Sequence, residues 1–148
     1  MAKHLQATVE VHNSLAYIRE QLLNPAVLER IAVDTGALRA SARVEGTQSV
    51  VERFFPVPSA ARSFLAFDEL QVTETRTWHD AHADVTATIT GVAVSAMGRI
   101  TWSEGDGNTT FSLDALVEAN MGFVGMFAES MVVDRLQEVF AAELGALH

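Results

Sequence analysis

Apolar and polar residues alternate along most of the chain. From Leu5 to Val11 the odd-numbered positions are apolar and the even-numbered positions are polar, which is the period-two pattern of a half-buried strand. The alternation returns after Leu38 in runs separated by turn signals, of which Gly105-Asp106-Gly107-Asn108 is the strongest. It predicts six further strands, over LRASARVE, QSVVERFFPV, ELQVTETRTW, ADVTATITGV, VSAMGRITWS and TTFSLDALVEA, while SAARSFLAFD fits a short helix or a loop equally.

Three segments carry helical signals instead. A serine cap predicts a short helix over SLAYIREQLLN, and a proline at the first helical position predicts another over PAVLERIAVDTG. The third segment runs from Asn120 to the C-terminus, where neither proline nor a turn pair breaks the chain between Phe123 and Leu144. At about 1.5 Å per residue, this last segment predicts a helix roughly 40 Å long.

The order of these elements predicts an α+β fold in a single domain over residues 1–148. One strand, two short helices, six strands and a long helix imply one curved antiparallel sheet of about six to seven strands. One face of such a sheet meets water, and the other must be covered. Only the C-terminal helix is long enough to cover it, so we expect the sheet to wrap around that helix.

The faces of the strands expected to point inward are rich in small side chains. Small residues on a curved sheet leave volume between sheet and helix, so we expect an apolar cavity there. The alternative is a solid core, in which Trp78, Trp102, Phe111, Phe123 and Phe127 fill that volume. The small inward positions are Ala7, Ala40, Ala42, Ala83, Ala87, Ala96, Gly98, Ala115 and Ala119.

This order of elements resembles the START-like (SRPBCC, helix-grip) superfamily, which includes polyketide cyclases, lipid-transfer domains and relatives of the birch pollen allergen. RTW at 76–78, TATITG at 86–91 and MGFVGMFAES entering the last helix resemble an uncharacterised actinobacterial START-like family. The chain departs from that pattern at Thr90-Gly91-Val92-Ala93, where a Pro-Gly type of turn is expected. The resemblance implies an apolar cavity between sheet and long helix, and it carries over no catalytic residues.

Charged residues fall on the apolar face of one predicted strand. In ELQVTETRTW, Glu74 and Arg76 share a face with Val72 and Trp78. Either Glu52 or Arg53 of the preceding strand must also face inward, and Glu129 projects from the apolar side of the long helix. Buried charges must pair or line a wet patch. We interpret the group as a polar anchor for a ligand carboxylate or carbonyl; the alternative is an ordinary ion pair at the rim of the sheet.

Composition excludes several classes of function. With 10 basic and 19 acidic residues the net charge is −9, which disfavours nucleic acid as a partner. The chain has no cysteine, no apolar run long enough for a membrane span, and no signal-peptide core, so we expect a cytoplasmic protein. No cofactor motif is present. His79 and His82 flank Asp80 in a turn, which we interpret as a solvated hairpin because a metal site needs a third convergent ligand.

Two hypotheses follow for function. The first is a protein that binds or carries a hydrophobic small molecule, such as a lipid, an isoprenoid or a polyketide. The second is a cyclase or dehydratase type of enzyme on such a ligand, with proton transfer by Glu74, Arg76 or Glu129. A weaker third option is an interaction module that forms a homodimer through a sheet edge. The residues expected to contact the ligand are Glu74, Arg76, Trp78, Trp102, Phe123, Met126, Phe127 and Glu129.

Overall fold

The computed structural model describes residues 2–57, 59, 68–120 and 124–147, with the backbone alone for 124–128 and 131. Seven strands form a single antiparallel sheet in which the spatial order is β1-β7-β6-β5-β4-β3-β2. Strands β2 to β7 therefore pair in the order of the chain, and β1 pairs with β7 at one edge of the sheet. The strands are β1 (Ala2–Val11), β2 (Arg39–Glu45), β3 (Gln48–Pro56), β4 (Glu69–Trp78), β5 (His82–Ile89), β6 (Val92–Glu104) and β7 (Thr109–Ala119).

Three helices complete the fold: α1 (Leu15–Leu22), α2 (Pro25–Asp34) and α3 (Val124–Gly145). The side chain of Ser14 caps α1 by accepting from the backbone N–H of Tyr17 at 3.2 Å. Asn24 caps α2 in the same way, through the N–H of Ala26 at 3.1 Å, and Pro25 occupies the first turn. These caps satisfy N–H groups that have no partner inside a helix.

The architecture predicted from the sequence is confirmed in its order of elements, its antiparallel sheet and its long C-terminal helix. At the departure from the family pattern, Thr90-Gly91 makes the β5–β6 turn, and Gly91 has φ of 78°, a conformation that glycine adopts without strain. Most of the ambiguous segment 59–68 lies outside the described residues. No helix in the described part of the chain is long and apolar enough to cross a membrane.

Helix α3 packs mainly against one half of the sheet. Its main contacts are with β1 and β7, and two side-chain hydrogen bonds join it to β1: Lys3 Nζ to Ser130 Oγ at 2.9 Å, and Gln137 Nε2 to the backbone oxygen of Gln6 at 3.2 Å. Strands β3 to β6 continue the curved sheet away from this contact. The helix therefore approaches the sheet closely at one edge and leaves a gap over the other strands.

Candidate functional site

A cavity of about 590 Å³ occupies the gap between the sheet and α3. Its volume falls within the usual range of small-molecule sites, roughly 300–1,000 Å³. Its walls are mainly apolar: the sheet contributes Val72, Val85, Ala87, Ala96, Ile100 and Leu113, and the helix contributes Val132, Leu136, Val139 and Phe140. Three exposed charged residues of α3 also line it: Asp134, Arg135 and Glu138.

Small side chains on two cross-strand rows keep the cavity open. In the first row Glu74 of β4 lies opposite Ala87 of β5, which lies opposite Ala96 of β6. In the second row Gly98 of β6 lies opposite Ala115 of β7. Cross-strand partners share a face of the sheet, so at Ala87, Ala96, Gly98 and Ala115 no large side chain reaches toward the helix. The expected contribution of small inward residues to an open cavity agrees with this arrangement.

One wall of the cavity carries a closed ring of four charged side chains, which we call the charge ring: Arg53, Glu74, Arg76 and Glu143. Arg53 donates to Glu74 Oε1 at 2.7 Å and to Glu143 Oε2 at 2.8 Å. Arg76 donates to Glu74 Oε2 and to Glu143 Oε1, both at 2.8 Å. Each guanidinium thus bridges both carboxylates, and all four hydrogen bonds have the short distances of charge-assisted pairs.

The sheet and the helix both contribute to the charge ring. Strand alternation directs Arg53 inward between Val51 and Phe55, and it directs Glu74 and Arg76 inward from the adjacent strand. Glu143 comes from the last part of α3 and is buried. The ring therefore connects α3 to β3 and β4, across the gap in which the cavity lies.

The electrostatics of the ring keep Glu74 and Arg76 ionised. Burial alone would raise the pKa of Glu74, but the charges of Arg76 and Arg53 and their hydrogen bonds outweigh burial and lower the pKa from 4.5 to about 2. Burial would likewise lower the pKa of Arg76, but Glu143 and Glu74 raise it above its ordinary value. Glu74 is therefore a carboxylate at every pH near neutrality, able to accept hydrogen bonds but poorly suited to donate a proton.

Of the residues expected to contact a ligand, Glu74 and Arg76 line the cavity, whereas Trp78 and Trp102 do not. The two indoles lie 5.5 Å apart between ring centroids, and Trp102 also meets Phe111 at 6.1 Å. Arg19 of α1 lies over both indoles, at 5.5 and 5.9 Å. This aromatic cluster fills the interior beside α1, so the solid-core alternative describes that end of the fold while the cavity occupies the other.

Glu129 is buried, but it does not belong to the charge ring and does not line the cavity. Its Oε2 has no hydrogen-bond partner within the described residues. The proposed contacts of Phe123, Met126 and Phe127 lie outside what the structure describes, since 123 is not described and only the backbone is described at 126 and 127. Their role at the cavity stays a prediction.

Glu143 is the ring residue that sequence reasoning missed. It lies seven residues after Leu136 and 14 after Glu129, and whole numbers of heptads return a side chain to nearly the same helical face. The argument that singled out Glu129 thus applied equally to Glu143. For Arg53 and Glu52 the sequence left both options open; the structure buries Arg53 and leaves Glu52 partly exposed.

A second polar cluster lies on the outside of the β4–β5 hairpin. Nε2 of His79 is 3.1 Å from Asp84 Oδ2, Nε2 of His82 is 3.5 Å from Asp84 Oδ1, and the potential ligand atoms all lie within 4.8 Å of one another. Asp84 is the third convergent group that the sequence analysis did not identify. The Nε of Arg99 also lies 3.5 Å from this carboxylate. Burial opposes the charged form, but hydrogen bonding from His79 and these nearby charges lower the pKa of Asp84, which makes the cluster an exposed ion-pair network.

Solved structures with the same fold cover nearly the whole chain. Norcoclaurine synthase from Thalictrum flavum is 15% identical, with a TM-score of 0.65, over 97% of this chain and 84% of that one. The Zhui aromatase/cyclase from Streptomyces is 17% identical, with a TM-score of 0.59, over 97% and 94%. Ara h 8.0201 is 11% identical, with a TM-score of 0.65, over 99% and 98%. At these identities the similarity establishes the START-like fold and nothing of the chemistry.

No curated protein matches the chain. A family model matches residues 6–147, which include all three helices and every strand except the first four residues of β1. Its description is "Protein of unknown function (DUF2505)". The chain therefore belongs to the DUF2505 family, and its fold is that of the START-like, helix-grip proteins.

Proposed function

We propose that the protein binds a hydrophobic small molecule in the cavity between the sheet and α3. The observation that carries this proposal is the combination of about 590 Å³ of mainly apolar space with the charge ring on one wall. Apolar walls supply affinity by removing ligand surface from water, and a few placed polar groups orient the ligand. Lipids, isoprenoids and polyketide-like molecules are the classes that combine such a skeleton with few polar groups.

The ring chemistry favours binding over catalysis. The enzyme alternative assigns proton transfer to Glu74, Arg76 or Glu129. A general acid or base works best when its pKa lies near the working pH, whereas the pKa of Glu74 is lowered to about 2 and that of Arg76 is raised. Glu129 is absent from the cavity wall. The fold is shared with a synthase and an aromatase/cyclase, but none of the three residues assigned to proton transfer is suited to it.

Three narrower expectations stay predictions from the sequence. They are location in the cytoplasm, membership of an actinobacterial branch of the family, and a homodimer formed through a sheet edge. The edges available for such a homodimer are β1 and β2, since these strands lie at the two ends of the sheet order.

Binding is tested with the uncharged fluorophore N-phenyl-1-naphthylamine and with native mass spectrometry of the purified protein. We expect saturable fluorescence enhancement with one site per chain. Ala87→Phe places a large ring inside the cavity and should abolish the enhancement, whereas Thr86→Phe, on the outer face of the same strand, should leave it unchanged. Thermal unfolding verifies that both variants fold. A protein that neither enhances the fluorophore nor retains an apolar adduct would overturn the proposal.

A further inference from the structure

The charge ring is electrically closed. Two guanidinium groups and two carboxylates are joined by four hydrogen bonds, so their formal charges sum to zero. Both arginines already bridge the two glutamates. A ligand carboxylate brought to this wall would therefore add a negative charge beside Glu74 and Glu143, and neither guanidinium of the ring would be free to pair with it. An uncompensated charge in an apolar environment is strongly unfavourable.

All four ring members line the cavity, and Glu74 is the most accessible of them. Its side chain is 14% exposed, compared with 5% for Arg53, 6% for Arg76 and 2% for Glu143. On β5 its cross-strand neighbour is Ala87, which is too short to cover the carboxylate. The Nε atoms of both arginines are buried without a partner among the described residues, and solvent does not reach them.

The other charged side chains of the lining are Asp134, Arg135 and Glu138, which are exposed residues of α3, and Arg135 is paired with Glu138 at 3.3 Å. Within the charge ring, the most accessible side chain is a carboxylate, which accepts hydrogen bonds and donates none. Each oxygen of Glu74 already accepts one hydrogen bond from an arginine, and a carboxylate has about four acceptor positions in total. Capacity remains for a ligand donor. The pKa of about 2 means that this acceptor is present at every pH at which the protein would be studied near neutrality.

We propose that the ligand is an uncharged apolar molecule that donates a hydroxyl, phenolic or N–H hydrogen to Glu74, and that the site discriminates against carboxylates such as free fatty acids. This inference rests on the proposed function and narrows it. Within the broad classes named above, it selects long-chain alcohols, hydroxylated isoprenoids and phenolic ring systems. It also replaces the sequence-based interpretation of a polar anchor for a ligand carboxylate or carbonyl, because Glu143 and Glu74 already occupy the guanidinium of Arg76.

Three probes of matched chain length separate charge from hydrogen-bond donation: decan-1-ol, methyl decanoate and decanoate. Each probe is titrated into the wild-type protein saturated with N-phenyl-1-naphthylamine at pH 7, and the loss of fluorescence measures its competition with the fluorophore. We expect decan-1-ol to compete at a concentration at least about tenfold lower than either of the others. Decanoate competing as well as the alcohol would overturn the discrimination against charge. The ester competing as well as the alcohol would overturn the requirement for a donor.

The failure of this inference is distinguishable from the failure of the proposed function. If the fluorophore binds and the three probes compete equally, the cavity binds ligands but the ring does not select them. If neither the fluorophore nor decan-1-ol binds, with calorimetry as the direct measurement for the alcohol, the proposed function and this inference fall together.

A variant supplies an independent readout. Glu74→Gln removes one negative charge and leaves the ring with a net positive charge, so decanoate should compete better than it does against the wild-type protein. Glu52→Gln is the matched control, since Glu52 lies on the adjacent strand outside the cavity wall. No change in the order of the probes in Glu74→Gln would contradict the assignment of Glu74. The wild-type comparison decides the proposal even if this variant fails to fold.

Discussion

Arg76 of β4 donates to Glu143 of α3 at 2.8 Å, across the gap between the sheet and the long helix. The main packing contacts of α3 lie at β1 and β7, on the other side of the sheet. On this side of the sheet Val139 of α3 packs against a small buried cluster that includes Phe55, and the ion pair adds a buried polar connection. We therefore expect the ion pair to help hold α3 at its distance from the sheet, which determines how much space a ligand has.

Removing the helical partner should destabilise the fold strongly. Glu143→Gln leaves two buried guanidinium groups with one carboxylate between them, and breaking a buried ion pair costs about 3–5 kcal/mol. We expect a loss of that size in the free energy of unfolding, measured by urea denaturation. Because α3 would be less firmly held over β3 and β4, affinity for N-phenyl-1-naphthylamine should also fall.

The control for this substitution is on the same helix. Glu138 is exposed and lies 3.3 Å from Arg135 one turn earlier, so Glu138→Gln removes only a surface ion pair. Such pairs contribute about 0.5 kcal/mol or less. Equal losses of stability in the two variants would show that the buried position of Glu143 is not what makes it important.

Acid should destabilise the protein through Glu74. The pKa of this residue is lowered from 4.5 to about 2 in the folded protein, so the unfolded chain takes up its proton first as the pH falls. The stabilisation is therefore complete above pH 4.5 and is lost progressively as the pH falls toward 2. Urea midpoints of the wild-type protein and Glu74→Gln, measured at several pH values, should converge over this window. A difference that stays constant down to pH 2.5 would contradict the assigned shift.

A close approach between two strands should make Gly98 intolerant of any side chain. A Cβ at this position would clash with the backbone oxygen of Asp114 and would lie 2.6 Å from Cα of Ala115. We expect Gly98→Ala to destabilise the fold by about 1–3 kcal/mol, as overpacking does. Gly145→Ala is the matched control, since nothing lies within 4 Å of its Cβ position and alanine favours helix. Equal thermal midpoints for the two variants would contradict the close approach.

Much of the fold followed from patterns within single elements. Period-two alternation located the strands, and it correctly placed Glu74 and Arg76 on the inner face because ELQVTETRTW has a clear apolar side. The neighbouring run QSVVERFFPV did not decide between Glu52 and Arg53, since Val50-Val51 and Phe54-Phe55 put apolar residues on both faces. There the choice depends on tertiary packing.

The candidate site was harder to predict because it depends on distances between elements. The position of Trp78 on the inner face was evident from the sequence, but alternation does not say whether an inward side chain meets a cavity or another aromatic ring. Its stacking on Trp102 depends on which strands become neighbours. Glu143 was overlooked for a different reason: it lies on the buried face of α3, but a carboxylate near a helix end usually faces solvent.

Replacing the whole charge ring separates its contribution to stability from its contribution to ligand selection. Replacing all of its members together, with Arg53→Met, Glu74→Leu, Arg76→Met and Glu143→Leu, removes the desolvated charges and leaves none unpaired. Apolar replacements of buried ion-pair clusters are often neutral or stabilising. We therefore expect the quadruple variant to recover stability to within about 1 kcal/mol of the wild-type protein, in contrast to the single variant Glu143→Gln.

The quadruple variant should still bind N-phenyl-1-naphthylamine, since the apolar walls remain. It should, however, no longer prefer decan-1-ol to methyl decanoate, because no acceptor remains for the hydroxyl. If the variant keeps that preference, another group in the cavity recognises the ligand; if it binds nothing although it is folded, the ring is needed to hold the cavity open. Retained binding together with lost preference would identify selection among ligands as the reason for four buried charges.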